Sequence, residues 1–287
     1  MAGPHQFWLN GHLVPADGPQ LNARDRGFTL GDGLFETIRV RAGRPVALDR
    51  HLARLFRGLE LVHIASPWMV TALAAAVAET LAANALADAV VRLTVSRGVP
   101  RQRGLVIDPA AIPTVAITAE PFDAYPSELY ARGLRLVTSR LRRDASSPLT
   151  QVKSLSRLDL VLARHEATLA GADEAILWNT AGHLTGATAA NLFLVTGGGL
   201  VTPDLDSGAL AGVTRAIVLE TLAPSLGLPF EARPIAPPEL ESAGEVFLTS
   251  ALLGVMPATF LDGRPLGAGR PGALTERLLR VLEAQNA

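Results

Sequence analysis

The chain has 287 residues, of which 48% are hydrophobic and 18% charged, with a formal net charge of −1, six histidines and no cysteine. This apolar content predicts a folded protein with a substantial core. The near-neutral charge gives no reason to expect nucleic acid or an anionic membrane as a partner. The absence of cysteine excludes disulfides, thiolate metal sites and cysteine nucleophiles.

Neither a membrane span nor a metal site is expected from the sequence. No apolar run approaches the roughly 18 residues that a membrane-spanning helix needs. The N-terminus, M-A-G-P-H-Q-F-W, does not resemble a signal peptide. The histidines show no spacing typical of metal ligands. We therefore expect a cytoplasmic protein that binds no metal.

The first part of the chain, residues 1–119, is predicted to form a smaller α+β domain. Asn10-Gly11 predicts a tight hairpin, and a glycine-rich segment, G-F-T-L-G-D-G, precedes the longest strand. Helices are expected from Asp49 and from Ser66-Pro67. Alternating apolar residues predict the strands 7–9, 12–14, 34–41, 45–48, 89–97 and 113–119.

The second part, residues 131–287, is predicted to be the larger domain, and residues 120–130 the linker between them. Helical spacing predicts three longer helices, ending near Leu169, Leu226 and Ala284. Antiparallel hairpins with clustered helices favour an α+β fold over a parallel sheet. The strands expected here are 134–139, 175–178, 191–196, 200–202, 229–233, 245–250 and 258–261.

Lysine occurs once in the chain. Lys153 is the single lysine among 26 basic Lys and Arg residues. A guanidinium stays protonated, so arginine cannot replace an amine that must lose its proton and attack carbon. A lysine amine with a lowered pKa can form a Schiff base with an aldehyde. Lys153 is thus a candidate catalytic residue, although a chance surface lysine is an equal alternative from the count alone.

Two segments could hold a phosphate. Gly212-Val213-Thr214 stands at a predicted helix start, where N–H groups and a hydroxyl are available. Ser250 and Ala251, in the run T-S-A-L-L-G, follow a predicted strand and could offer backbone N–H groups. Either segment alone is more simply an ordinary cap or turn. Together with a Schiff-base lysine they indicate pyridoxal 5′-phosphate as the cofactor.

Six motifs resemble those of the class IV aminotransferases, the fold type IV pyridoxal-phosphate enzymes. This family includes branched-chain and D-amino acid aminotransferases and aminodeoxychorismate lyase. The resemblance covers almost the whole chain and implies a two-domain α+β fold with the site between the domains, completed by a homodimer. The motifs are D-R-G-F-T-L-G-D-G-L-F-E, H-L-A-R-L, V-S-R-G, V-K-S-L-S-R-L, A-N-L-F-L-V and L-A-G-V-T-R.

The resemblance also implies roles for single residues. Lys153 would form the Schiff base and move protons, and Arg54 would bind the phosphate, although helical spacing alone makes Arg54 a solvated arginine. Phe35 and Arg97 would face the substrate, with Arg97 a candidate for a carboxylate. The other residues implied to bind the cofactor are Leu210 under the ring and Val213, Thr214, Ser250 and Ala251 at the phosphate.

One position departs from the family pattern. The family usually places a glutamate, which protonates the pyridine nitrogen, five residues before the asparagine of N-L-F. Here that position is Gly186, and no acid lies between Glu174 and Asp204. Losing one preorganised polar contact costs about 2–4 kcal/mol, which would slow the reaction roughly 30- to 1000-fold.

Three functions remain open at this point. The first is an aminotransferase that moves an amino group between an amino acid or amine and a keto acid. The second is aminodeoxychorismate lyase, which eliminates pyruvate to give 4-aminobenzoate and forms an aromatic ring, so that it tolerates a weaker electron sink. The third is a low-turnover cofactor-binding protein, because Gly186 replaces the acid. The substrate and its handedness are not predicted.

Overall fold

In the computed structural model, which describes residues 5–18 and 21–285, the chain forms two compact units. The first unit ends at Asp123 and also includes Val152–Arg157. The second unit consists of Ala124–Gln151 and the described residues from Leu158 onwards. The chain thus passes from one unit to the other within the predicted linker. The structure differs from the prediction in placing Lys153 in the first unit.

The first unit is built on a fully antiparallel six-stranded sheet. Its strand order is β2-β1-β6-β5-β3-β4, and β5 pairs along its whole length with β3. Every residue of β3 except two is buried, so this strand is covered on both faces. The strands are β1 (Gln6–Leu9), β2 (His12–Pro15), β3 (Gly33–Arg41), β4 (Arg44–Pro45), β5 (Ala89–Ser96) and β6 (Thr114–Pro121).

Three helices accompany this sheet: α1 (Arg26–Leu30), α2 (Leu48–Leu61) and α3 (Val70–Ala83). The short helix α1, within the glycine-rich segment, was not predicted. The helix expected at Ser66-Pro67 begins later, because the Ser66 hydroxyl bonds the backbone of Trp68 and forms a turn there. The core between helices and sheet contains Leu52, Leu55, Leu59, Leu73, Ile38, Val91 and Ile117.

The second unit contains a nine-stranded mixed sheet. Its main path is β12-β11-β10-β13-β14-β7-β8-β9, with β15 paired to β14. Three of its pairs are parallel: β14 with β7, β7 with β8, and β11 with β12. The strands are β7 (Leu134–Arg143), β8 (Glu174–Asn179), β9 (Leu184–Ala187), β10 (Asn191–Thr196), β11 (Gly199–Thr202), β12 (Phe230–Ala232), β13 (Glu245–Ser250), β14 (Gly254–Leu261) and β15 (Arg264–Pro265).

The helices of the second unit include one with an irregular centre. The predicted helix from Gly212 is divided into α6, a π-helical turn at Val218–Leu222 and α7, because Pro224 has no N–H for a regular bond. The short helix α4 begins within the predicted linker and ends two residues beyond it. The helices are α4 (Ser127–Arg132), α5 (Leu158–Leu169), α6 (Val213–Ile217), α7 (Ala223–Ser225), α8 (Pro237–Glu241) and α9 (Ala273–Gln285), besides a 3₁₀ turn at Pro148–Gln151.

The predicted α+β fold is therefore confirmed, with a mixed sheet in the second unit. Parallel pairing arises where strands distant in sequence meet, which local alternation does not reveal. Among the described residues, no helix is long and apolar enough to cross a membrane.

We predict that Phe193→Ala destabilises the second unit strongly. Phe193 and Phe247 are fully buried and stacked, with ring centroids 4.9 Å apart. Removing one ring leaves a cavity and should lower the free energy of unfolding by about 3–5 kcal/mol. Phe230→Ala is the control, since Phe230 is 47% exposed. Urea unfolding curves with equal shifts for both variants would contradict this description of the core.

Candidate active site

Lys153 lies on a short segment that is hydrogen-bonded to the start of β3. The N–H of Phe35 donates to the carbonyl of Lys153 at 3.0 Å, and the N–H of Leu155 donates to the carbonyl of Gly33 at 2.9 Å. These two bonds pair the segment with the strand in an antiparallel manner. They are the reason why the segment belongs to the first unit, although its neighbours in sequence belong to the second.

Two glycines allow this close approach. A Cβ atom on Gly33 would lie 2.5 Å from the carbonyl oxygen of Val95 and 2.8 Å from the side chain of Leu155. Gly31 ends α1 with a φ of 66°, and a Cβ there would lie 3.1 Å from the Cα atom of Ser156. The backbone of the lysine segment thus explains the glycine at position 31, whereas β5 and the Leu155 side chain explain the glycine at position 33.

A buried carboxylate joins β3 to α2. Glu36 is 1% exposed and accepts hydrogen bonds from His51 Nδ1 at 2.7 Å, Arg54 Nε at 2.8 Å and Arg54 Nη2 at 2.5 Å. Burial opposes ionisation, but the bonds from His51 and Arg54 outweigh it and hold the pKa of Glu36 below its ordinary value. Arg54 is therefore an ion-paired residue and not the solvated helix arginine that spacing alone indicated.

The ring of Phe35 contacts three cationic side chains. Its centroid lies 3.9 Å from Arg92 Cζ, 4.6 Å from Lys153 Nζ and 5.5 Å from Arg157 Cζ. Phe35 itself is 5% exposed. A positive group over an aromatic face is stabilised by the ring quadrupole. The predicted neighbours Phe35, Arg54 and Lys153 thus all lie in one region of the first unit.

The amine of Lys153 is strongly perturbed. Burial lowers its pKa to about 7, and the positive charges of Arg54, Arg157 and Arg92 act in the same direction. Glu36 is the negative group that opposes this shift. An amine with such a pKa is about half unprotonated at neutral pH and largely unprotonated at slightly alkaline pH, so Lys153 can act as a nucleophile or as a base.

Arg97, the predicted carboxylate ligand, is held by three hydrogen bonds within the first unit. Its Nε donates to Asp32 at 2.8 Å, and its two terminal nitrogens donate to the carbonyls of His63 and Val62. Asp32 also accepts from Arg26 at 2.7 Å, and both arginines hold its pKa low despite burial. These bonds use three of the five N–H donors of the guanidinium and fix its orientation. The role of Arg97 as a carboxylate ligand stays a prediction.

In the second unit, Asn191 organises the segment predicted to bind a phosphate. Its side-chain amide donates to the carbonyl of Leu210 at 2.8 Å. A Cβ on Gly212 would lie 1.9 Å from the Asn191 side-chain oxygen, so a larger residue there would displace the Asn191 side chain. Val213 and Thr214 follow as the first residues of α6, and both are buried.

Ser250 and Ala251 lie where β13 ends and the turn to β14 begins. The Ser250 hydroxyl accepts a hydrogen bond from the N–H of Leu253 at 3.1 Å. The preceding Thr249 pairs with Asn191 in the sheet. Its buried hydroxyl has no hydrogen-bond partner among the described residues. The two predicted phosphate segments are thus both adjacent to Asn191 within the second unit.

The position that departs from the family pattern, Gly186, has a backbone that favours glycine. It lies in β9 opposite Leu177, with a φ of 139°, and a Cβ there would lie 3.0 Å from the Ala190 carbonyl oxygen. The preceding acid in the sequence is Glu174. Its carboxylate lies 2.5 Å from Arg164 Nη1 and accepts a hydrogen bond from the Thr188 hydroxyl at 2.5 Å. The structure therefore shows no acid at this position and strain for any side chain placed there.

Sequence reasoning missed three charged residues that act on the Lys153 amine, Glu36, Arg92 and Arg157, and it missed His51, which contacts Glu36. The i, i+3 spacing of His51 and Arg54 on one helix face was a usable signal. The hydrogen bonds between Arg54 and Glu36 had no such signal in the sequence, since they depend on how α2 packs against β3. Among the described residues, no group of three or more His, Cys, Asp or Glu is arranged to hold a metal ion.

Comparison with known proteins places the whole chain in one group. The model of the amino-transferase class IV family matches residues 33–260. A putative branched-chain-amino-acid aminotransferase from Methanocaldococcus jannaschii is 34% identical, over 95% of this chain and 93% of that protein. A D-alanine aminotransferase from Bacillus licheniformis is 31% identical, over 96% of this chain and 95% of that protein.

Solved structures agree with this assignment. The branched-chain amino acid aminotransferase from Escherichia coli is 26% identical, with a TM-score of 0.93, over 98% of this chain and 94% of that one. A 4-amino-4-deoxychorismate lyase from Pseudomonas aeruginosa is 37% identical, with a TM-score of 0.86, over 97% of this chain and 98% of that one. The family model spans most of the sequence, and this chain therefore belongs to the class IV aminotransferases.

Proposed function

We propose that this chain is a pyridoxal-phosphate-dependent aminotransferase that moves an amino group between an amino acid or amine and a keto acid. The observation that carries the proposal is the single lysine, whose amine has a pKa of about 7 under the influence of burial and three arginine charges. Membership of the class IV family supports both the reaction and the cofactor. Lys153 is the proposed site of covalent attachment.

The charges around Lys153 fit an anionic cofactor. Arg54, Arg92 and Arg157 are the cations that act on the amine, and Glu36 is the one acid. The surplus of positive charge suits a phosphate and a substrate carboxylate, which together bring negative charge to the region. Of these groups we assign the phosphate to Arg54, as the family motif implies.

The first-unit residues have distinct proposed tasks. When bound, pyridoxal phosphate supplies an aldehyde for the amine and a ring that withdraws electrons from the substrate. Lys153 Nζ would hold the cofactor covalently and, when free, would hold or release the proton at the substrate carbon. Phe35 limits the space beside the amine and excludes water from it.

Other expectations remain predictions. They include cofactor contacts in the second unit, a cytoplasmic location and a homodimer. The buried hydroxyl of Thr249 beside Ser250 is consistent with a polar ligand at that turn. The residues predicted to bind the cofactor there are Leu210, Val213, Thr214, Ser250 and Ala251.

Aminodeoxychorismate lyase is the second candidate function. It is favoured by the 37% identity to the Pseudomonas aeruginosa lyase and by the glycine at position 186. Elimination that ends in an aromatic ring needs less electron withdrawal than transamination does. A protein that binds the cofactor with little turnover is a third outcome, and turnover assays separate the three.

We predict that the Lys153 amine titrates near pH 7 in the cofactor-free protein. Lysine labelled with ¹³C at Cε gives a single signal, because the chain has one lysine. The chemical shift of this signal, measured as a function of pH, gives the pKa of the amine. Arg54→Gln is expected to raise the midpoint, since the Arg54 charge disfavours the ammonium form. A wild-type midpoint at pH 10 or above would contradict the proposed nucleophile.

We predict that one amino donor converts the visible band of the reconstituted protein to that of the pyridoxamine form. The donors tested are D-alanine, L-leucine and (R)-1-phenylethylamine, and the reactive one gives the handedness of the substrate. If none of them acts but aminodeoxychorismate yields 4-aminobenzoate and pyruvate, the lyase is correct. A protein that binds the cofactor but turns over none of these compounds supports the low-turnover alternative.

We predict that Gly186→Glu accelerates the transamination half-reaction while lowering stability. A carboxylate at this position restores the acid of the family pattern. Lowering the activation free energy by about 2 kcal/mol would make the reaction roughly 30-fold faster. The backbone strain should cost on the order of 1–3 kcal/mol in unfolding free energy. Gly186→Ala introduces the same strain without the acid. Equal rates for these two folded variants would show that the acid makes no difference.

A further inference from the structure

We propose that Glu36 is a positioning residue that fixes the orientation of the Arg54 guanidinium for a phosphate. This inference rests on the proposed function, in which Arg54 binds the cofactor phosphate. Glu36 occupies the Nε and Nη2 edge of Arg54 with both of its oxygens. The guanidinium can turn only with the loss of two charge-assisted hydrogen bonds, so the direction of Nη1 is fixed as well.

His51 holds the carboxylate itself in place. Its Nδ1 lies 2.7 Å from Glu36 Oε2, and its side chain is 3% exposed. His51 and Arg54 are one turn apart on α2, so both contact the same carboxylate from one helix face. The carboxylate therefore has three hydrogen bonds from α2, and rotating it would break them.

The location of Glu36 makes this arrangement relevant to Lys153. Glu36 follows Phe35 in β3, and the N–H of Phe35 bonds the Lys153 carbonyl. Arg54 is the arginine that acts most strongly on the Lys153 amine. One strand thus connects the lysine backbone to the carboxylate that orients Arg54. A phosphate held by Arg54 is thereby placed at a defined distance from the amine.

The expected effect of removing the carboxylate depends on the phosphate. Glu36→Gln keeps the size of the side chain but removes its charge and one of its two acceptors. Arg54 then loses its fixed orientation. We expect affinity for pyridoxal phosphate to fall at least about tenfold, a coupling within the usual range between neighbouring groups. Affinity for pyridoxal, which has the same aldehyde but no phosphate, should change by no more than about twofold.

The affinities are measured by titrating the cofactor-free protein with each aldehyde and recording the absorbance of the Lys153 adduct. In an Arg54→Gln background, Glu36→Gln should cause no further loss for pyridoxal phosphate, since the two residues act through one interaction. Asp32→Asn is the matched control, because Asp32 also accepts from two cations in this unit. It should not change the preference between the two aldehydes.

Each result decides between a positioning role and a merely structural one. The positioning role would be overturned if Glu36→Gln lowered the affinity for both aldehydes equally. It would also be overturned if the losses of affinity in Glu36→Gln and Arg54→Gln were additive. Should Glu36→Gln fail to fold by urea unfolding, Glu36→Asp replaces it, and equal losses there have the same meaning. Failure of the wild-type protein to bind either aldehyde would instead overturn the proposed function.

Discussion

The pairing of the lysine segment with the start of β3 is the constraint on which the rest of the site depends. It sets the position of Lys153 relative to Phe35, and the Leu155 side chain of the segment, together with β5, leaves no room for a Cβ at position 33. The next residue of the strand, Glu36, connects to α2 through Arg54. One backbone register therefore places the amine, the ring and the ion pair together, and a slip by one residue would separate them.

Electrostatics then give this geometry its chemical character. Burial and three arginines bring the pKa of Lys153 to about 7, which leaves a reactive amine at neutral pH. The same positive charge suits anionic ligands, so a bound phosphate and carboxylate would stabilise the region by offsetting its charge. Glu36 limits this excess and orients Arg54. Reactivity and ligand preference thus have a common physical origin in the first unit.

Much of this could be predicted from the sequence, and the remainder depends on packing. The solitary Lys153 and the contiguous motifs identified the family and the cofactor, and apolar alternation predicted most strands, because these signals are local. The membership of Lys153 in the first unit depends on hydrogen bonds to Gly33 and Phe35, far away in sequence. The structural position of Arg97 likewise depends on Asp32 and on a distant turn. Residues that act through long-range contacts leave no local pattern.

Borohydride reduction of the protein reconstituted with pyridoxal phosphate, followed by peptide mass analysis, tests the central claim most directly. We expect a single modified peptide, the one that contains Lys153, since no other lysine exists in the chain. The Lys153→Ala variant, shown to be folded by its unfolding curve, should carry no label. A labelled Lys153→Ala protein, or a wild-type protein labelled only at its N-terminal amine, would contradict the assignment of Lys153 as the site of attachment.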